Sequence, residues 1–264
     1  MSEVEAYHGR LYRAPTVVVS AAGSVDPDRL VALLQKSERR AGAPARAGTR
    51  VRRPLATLPG PGLRFQRKDT EQFHLCLGAT GISRSDRRRF AASLLDAILG
   101  GSASSRLFQE IREKRGMAYA VYSFAALYTD TGVIGVYVGT REENLEACIE
   151  ICVEQIAEIA AGRLRKGELE RAKESLKGRI VLALESTSSR MSRLGKSLVT
   201  DTELLTVERV MAEIDAVDTG ELAELATVLL PPERLAAAGV GPDETRFRTA
   251  VGRASEKLVG QAAA

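Results

Sequence analysis

The stretch Leu99–Tyr122, LGGSASSRLFQEIREKRGMAYAVY, constrains this chain more than any other. Two glycines and a serine cluster open a helix that must stop near Gly116 and give way to a strand. Gly100 and Gly101 supply backbone freedom no other residue has. Ser102, Ser104 and Ser105 are suited to cap the orphan N–H groups of the helix behind them. Leu107 and Ile111 fall one turn apart on one face, flanked by Phe108. Lys114 and Arg115 sit where the negative end of the helix dipole favours cations, and Gly116 has the character of a helix stop. Beyond it Tyr119, Val121 and Ser123 alternate with Ala120, Tyr122 and Phe124, the period of a strand.

The rest of the chain falls into order around that stretch. Residues 7–12 close a first helix, Thr16–Gly23 (TVVVSAAG) reads as a short apolar strand, and Asp26 and Pro27 start a second helix bearing Leu30, Leu33 and Leu34 on one face. Residues 41–62 hold Pro44, Pro54, Pro59 and Pro61 among glycines and arginines, a linker composition. GLRFQRKD and EQFHLCLGATG come next as strands, the second with Phe73, Leu75 and Leu77 on one side. A helix from about Asp86 to Leu99 buries Phe90, Leu94, Leu95 and Ile98. Two strands joined near Asp130 end in VIGVYVGT. The helix Glu142–Ala161 places Leu145, Cys148, Ile149, Cys152, Ile156 and Ile159 at helical spacing, and a longer one runs from Lys166 through Leu198. Shorter helices start at Val207 and Thr219, ERLAAAGVG is the last strand, and the Ala-rich end is a frayed tail. Strands and helices are partly segregated, which predicts an α+β two-layer sandwich, a largely antiparallel sheet packed on helices.

The segment SSRLFQEIREKRGMAY resembles the signature in the second half of the pitrilysin/insulinase-type zinc peptidases, the inverzincins. It is most similar to their mitochondrial-processing-peptidase-like bacterial branch. The usual form begins with a further Gly and Met, where this chain has Ser102 and Ala103. TGVIGVYVGT, the long helix after it and ESTSSRMSRLGKSL match that branch in order and spacing. The resemblance implies a remnant of the first, zinc-bearing half at residues 1–40, a linker at 41–62, the C-terminal peptidase-family domain at 63–245 and a tail at 246–264. In that frame the chain begins inside a domain whose main body is missing.

An inverzincin binds zinc through His-x-x-Glu-His on one helix with a distant Glu. The two histidines here, His8 and His74, are isolated from each other and from any such motif. Cys148 and Cys152, one turn apart, have the character of core thiols rather than ligands. The expectation is therefore no metal site and no cofactor in this chain, with zinc carried by a partner or a missing half, and no activity for the chain alone. The resemblance also implies that this half closes over the zinc-bearing one and presents an Arg and a Tyr to the substrate. The matching residues are Arg112 and Tyr119, as catalytic candidates. A glycine-rich substrate loop in the same branch maps onto Gly100, Gly101, Ser104 and Ser105, although a plain helix cap accounts for them equally well. Glu185 reads as polar surface or an ion-pair partner.

Composition limits the alternatives. Of 264 residues, 44% are hydrophobic and 27% charged, which is ordinary globular usage. No apolar run of about 18 residues is present, and the start MSEVEAYHGR has no signal-peptide core. Three cysteines make no disulfide framework, so the expected compartment is the cytoplasm. The net charge of +4 raises nucleic acid as a partner, but the densest patch, SRSDRRRF, comes with no nucleic-acid motif and reads as a solvated helix start. The expected partners are a peptide substrate and either a zinc-bearing peptidase subunit or a second copy of the chain, with neither nucleic acid nor membrane. A non-catalytic assembly subunit of the same family, and a fragment of a full-length peptidase, are the rival readings.

Overall fold

The computed structural model describes residues 1–12, 17–40, 62–231 and 234–262. The expected linker at 41–62 lies outside them except for Gly62. The chain divides into two compact units, Met1–Ala56 with Ile180–Leu204, and Thr57–Arg179 with Leu205–Ala264.

The second unit is built on a five-stranded sheet. Its strands are β1 (Leu63–Arg67), β2 (Phe73–Gly81), β3 (Ala118–Leu127), β4 (Gly132–Thr140) and β5 (Ala236–Gly241), in the order β1-β5-β2-β4-β3. Only the β1–β5 pair is parallel. One face is packed by helices α3 (Arg89–Leu99), α4 (Leu145–Ala160), α8 (Thr219–Leu229) and α9 (Glu244–Ala262), giving the two-layer α+β architecture. A shorter helix, α7 (Val207–Ala216), packs against α3. Phe73, Leu75 and Leu77 of β2 and Ile134, Val136 and Val138 of β4 enter this layer at strand period, and all are buried. Leu94, Leu95 and Ile98 of α3 and the predicted stripe of α4 meet them. Phe247 of α9, inside the segment read from sequence as a tail, is also buried. Its ring lies 5.0 Å from that of Phe65.

The helix before Leu99 starts three residues later than its sequence suggests. Asp86 accepts the Arg88 N–H at 2.8 Å and its guanidinium Nε–H at 3.1 Å, forming a turn that delays the first helical residue to Arg89. Phe90 is only half-buried.

The first unit contains α1 (Ser2–Leu11), α2 (Pro27–Arg40), the end of α5 (Glu168–Glu185) and α6 (Thr187–Thr200). Asp26 caps α2 through its Oδ1, as its position before Pro27 predicts. The expected strand at Thr16–Gly23 is not formed: Thr16 lies outside the described residues, and 17–22 form no strand and pair with none among them. A β-strand exists through its ladder, and apolar composition alone does not supply one. Val17, Val18 and Val19 are consequently exposed. The single long helix expected from Lys166 is interrupted at Ser186, whose hydroxyl accepts the Ser189 N–H and caps α6. Leu182, Leu198 and Val199 are also exposed. Among the described residues no helix is long and apolar enough to cross a membrane.

Candidate functional site

The segment from Gly100 to Tyr119 is anchored at one end and presented at the other. The anchor is Arg106, which is completely buried. Its Nε and Nη2 donate to both carboxylate oxygens of Glu168, at 2.9 and 2.6 Å. Nη2 also donates to the Arg163 carbonyl at 2.7 Å, and Nη1 reaches Glu158 at 3.3 Å. Burial pushes the Glu168 carboxyl up, but the Arg106 hydrogen bonds and the Arg165 N–H outweigh it and leave the pKa below its ordinary value. One turn on, Glu110 accepts from Lys114, Arg115 and Arg165, each at 2.7 Å. Burial opposes ionisation there too, and the three cations still hold this carboxyl at about 2. Sequence reasoning passed over both residues; their signal is an arginine set directly before Leu107, with a glutamate and Ile111 one turn later on the same side.

Between these anchors and the strand the helix is not a plain α-helix. Over Phe108–Glu113 it widens, and the Lys114 N–H bonds to the Gln109 carbonyl five residues back. Gly116 then turns the chain at φ +61°, a left-handed conformation that favours glycine. Thr140 fixes the start of β3: its hydroxyl donates to the Met117 carbonyl at 2.7 Å while its backbone is in register with Ala118. The next pair is Ala120 with Gly139, so Tyr119 is the extra residue of a β-bulge. That bulge overturns the simple alternation expected from sequence. Val121 and Ser123 are buried, whereas Tyr119 is turned out and is 79% exposed.

The outcome is contact between the two candidate catalytic side chains. Arg112 Nη1 donates to the Tyr119 carbonyl at 3.1 Å, and its guanidinium carbon lies 4.5 Å from the Tyr119 ring centre and 4.7 Å from that of Phe108. The nearest carboxylate among the described residues, on exposed Glu113, is 3.7 Å away. A third of the Arg112 side chain is exposed. The pair therefore offers guanidinium and phenol donors at the surface, held in one orientation by ring stacking.

The other candidates are placed differently. Gly100 is buried at the end of α3, where a methyl group would overlap the backbone of Ser123. Gly101 and Ser104 are exposed, and Ser105 is buried. Ser104 borders a small cleft of about 30 Å³ with Ala97 and Glu168. The serines do not cap the following helix. Ser105 Oγ donates to the Ser102 carbonyl at 2.5 Å and Ser102 Oγ to the Ala97 carbonyl at 3.4 Å. Ser102 thereby ties the turn to Ala97, one of the last four carbonyls of α3, which lack partners within their own helix. His74 Nδ1 bonds the Tyr137 hydroxyl at 2.7 Å. Among the described residues no group of three or more His, Cys, Asp or Glu is arranged to hold a metal ion.

A family model described as the peptidase M16 inactive domain matches residues 1–176. The chain belongs to the peptidase M16 family, as an inactive-domain member. An uncharacterized zinc protease of Streptomyces coelicolor is 36% identical over 236 residues, covering 86% of this chain and 50% of that protein. One from Mycobacterium bovis is 37% identical over 251 residues, covering 91% and 55%. The M16 inactive-domain chain thus spans about half the length of the curated relatives it matches. Its fold matches the crystal structure of a peptidase M16 inactive domain from Pseudomonas fluorescens with a TM-score of 0.73, at 24% identity over 84% of this chain and 52% of that one.

Proposed function

We propose that this chain is the substrate-contacting, non-zinc half of an M16 peptidase, and that Arg112 and Tyr119 act on a peptide at a zinc site carried by a partner subunit or by a missing N-terminal half. The supporting observation is the stacked pair itself, in which a widened helix, a left-handed glycine and a β-bulge turn two donor side chains outward together. Such irregularities disrupt regular hydrogen bonding and recur where a side chain must be re-aimed. The Tyr119 O–H donates to a carbonyl oxygen as negative charge builds on it, and the Arg112 fork holds neighbouring peptide carbonyls before and during reaction. Gly100, Gly101, Ser104 and Ser105 border the pair's helix and in this reading contact the peptide only through Gly101 and Ser104, the exposed two. Free thiols at Cys76, Cys148 and Cys152 accord with a reducing cytoplasm. The exposed valines and leucines of the first unit supply a surface for a zinc-bearing partner or a second copy.

The experiment is reconstitution with a zinc-bearing M16 subunit. Tyr119→Phe should lower turnover by on the order of a hundredfold, the loss of about 2.7–4 kcal/mol expected for one oxyanion donor, and leave association intact. Arg112→Ala should weaken peptide binding as well as turnover. A purely structural assembly subunit, the rival reading, has no need of an outward Arg–Tyr pair, and its association would be indifferent to both changes with no turnover to lose.

A further inference from the structure

The sheet face opposite the helices carries a second feature, remote from the pair along β2, β4 and β3. Strand register places Arg64 on β1 beside Ala238 on β5, then Cys76 on β2, Tyr137 on β4 and Tyr122 on β3. The adjoining row is Ala236, Gly78, Gly135 and Phe124. Small residues in the middle of both rows leave a trough of about 410 Å³ near the Gly81–Gly132 end of the strands, opposite to the Tyr119 end. Its two sides differ in chemistry. Arg64 and Arg234 line one, and Phe124 borders the other, its ring lying so close over Gly135 that a Cβ there would come within 2.9 Å of Cζ. Among the described residues no Asp or Glu lines the trough. Arg234 donates to the Val228 carbonyl at 2.8 Å, and among the described residues neither arginine is paired with a carboxylate.

We propose that this trough is a peptide subsite that takes an acidic residue, its apolar neighbour lying over the alanine and glycine floor against Phe124. The proposal rests on the reading of the chain as a substrate-contacting half and names a substrate preference for it. Two guanidiniums facing a floor without carboxylates complement one carboxylate, which a planar N–H fork binds in bidentate fashion. A nucleic-acid backbone calls for a track of cations with stacking rings spaced along it, and two arginines at one side of an apolar trough do not form one.

Cys76 provides a reporter. It lines the trough, whereas Cys148 and Cys152 are buried. Burial raises the Cys76 pKa, so alkylation by iodoacetamide is best followed in mildly alkaline buffer, by peptide mapping of the whole chain. The probes are an acetylated, amidated Ala-Leu-Glu-Ala-Ala peptide and its Gln isostere. The Glu peptide should slow Cys76 alkylation saturably, the Gln peptide should need about tenfold more for the same protection, and the double variant Arg64→Ala, Arg234→Ala should erase the difference. Equal protection by both peptides, protection by neither, or protection by oligothymidylate alone would overturn the proposal. The Glu–Gln contrast is read on the unaltered chain and does not depend on how the variant folds. Turnover with Tyr119→Phe is read at the other end of the sheet, so failure of the subsite and failure of the Arg112–Tyr119 pair are separate results.

Discussion

Arg106 and Arg112 stand less than two turns apart in one segment and are used in opposite ways. Arg106 has no exposed surface and all its bonds go to Glu168, Glu158 and the Arg163 carbonyl. Arg112 is partly exposed, bonds a carbonyl and stacks on two rings. The difference shows what separates a structural arginine from an available one. Once carboxylates meet the charge in a dry site, the group is committed, because removing either partner strands the other. A guanidinium resting on rings at the surface keeps donors for a ligand.

The comparison breaks most readily at its buried end. Arg106→Ala leaves Glu168 buried without its ion-pair partner, holding only the Arg165 N–H, and should cost about 3–5 kcal/mol in denaturant unfolding. If it costs under about 1 kcal/mol, Arg106 is not the anchor. Arg106→Met, which replaces the charge by an apolar chain, should remain destabilised because the carboxylate persists, and combining it with Glu168→Leu should recover part of the loss.

Glu110 is the next test, and its sign is fixed by the direction of its pKa. The folded value of about 2 lies below the ordinary 4.5, so the contribution is present in full above pH 4.5 and is lost as pH falls through 4.5 toward 2. Its three partners are each about half exposed, so a loss of about 1–2 kcal/mol is expected, from pairs worth up to about 1 kcal/mol each. Glu110→Gln should flatten the acid limb of the unfolding midpoint against pH across that window. An unchanged limb would remove Glu110 from the anchor.

The smallest effect belongs to the hinge between the two ends. Gly116 has φ +61° with open space where a Cβ would stand. Gly116→Ala therefore tests backbone conformation alone and should cost about 1 kcal/mol. A neutral result would mean that the turn relaxes readily and does not set the direction of β3.

The sequence shows some of these features and conceals others for definite reasons. Strand alternation in β2 and the apolar stripe of α4 are legible because burial enforces a period. The stop at Gly116 is legible because few residues other than glycine adopt that turn readily. The bulge at Tyr119 is not: one inserted residue shifts the phase of the strand while leaving its composition unchanged. Arg106 and Glu110 were hidden among charged neighbours: their setting beside Leu107 and Ile111 is a local sign, but the carboxylate that meets Arg106, on Glu168, lies 62 residues away in the chain. The segment after Pro15 misled in the other direction, its β-branched run promising a strand for which residues 17–22 find no partner among the described residues.

The most direct measurement is the specificity constant of the reconstituted complex with Tyr119→Phe, taken together with the unfolding free energy of the same variant. An exposed residue at a bulge should leave stability within about 0.5 kcal/mol, while turnover falls by on the order of a hundredfold. Unchanged turnover, or a loss matched by equal destabilisation, would contradict the account and return Arg112 and Tyr119 to the structural side of the comparison.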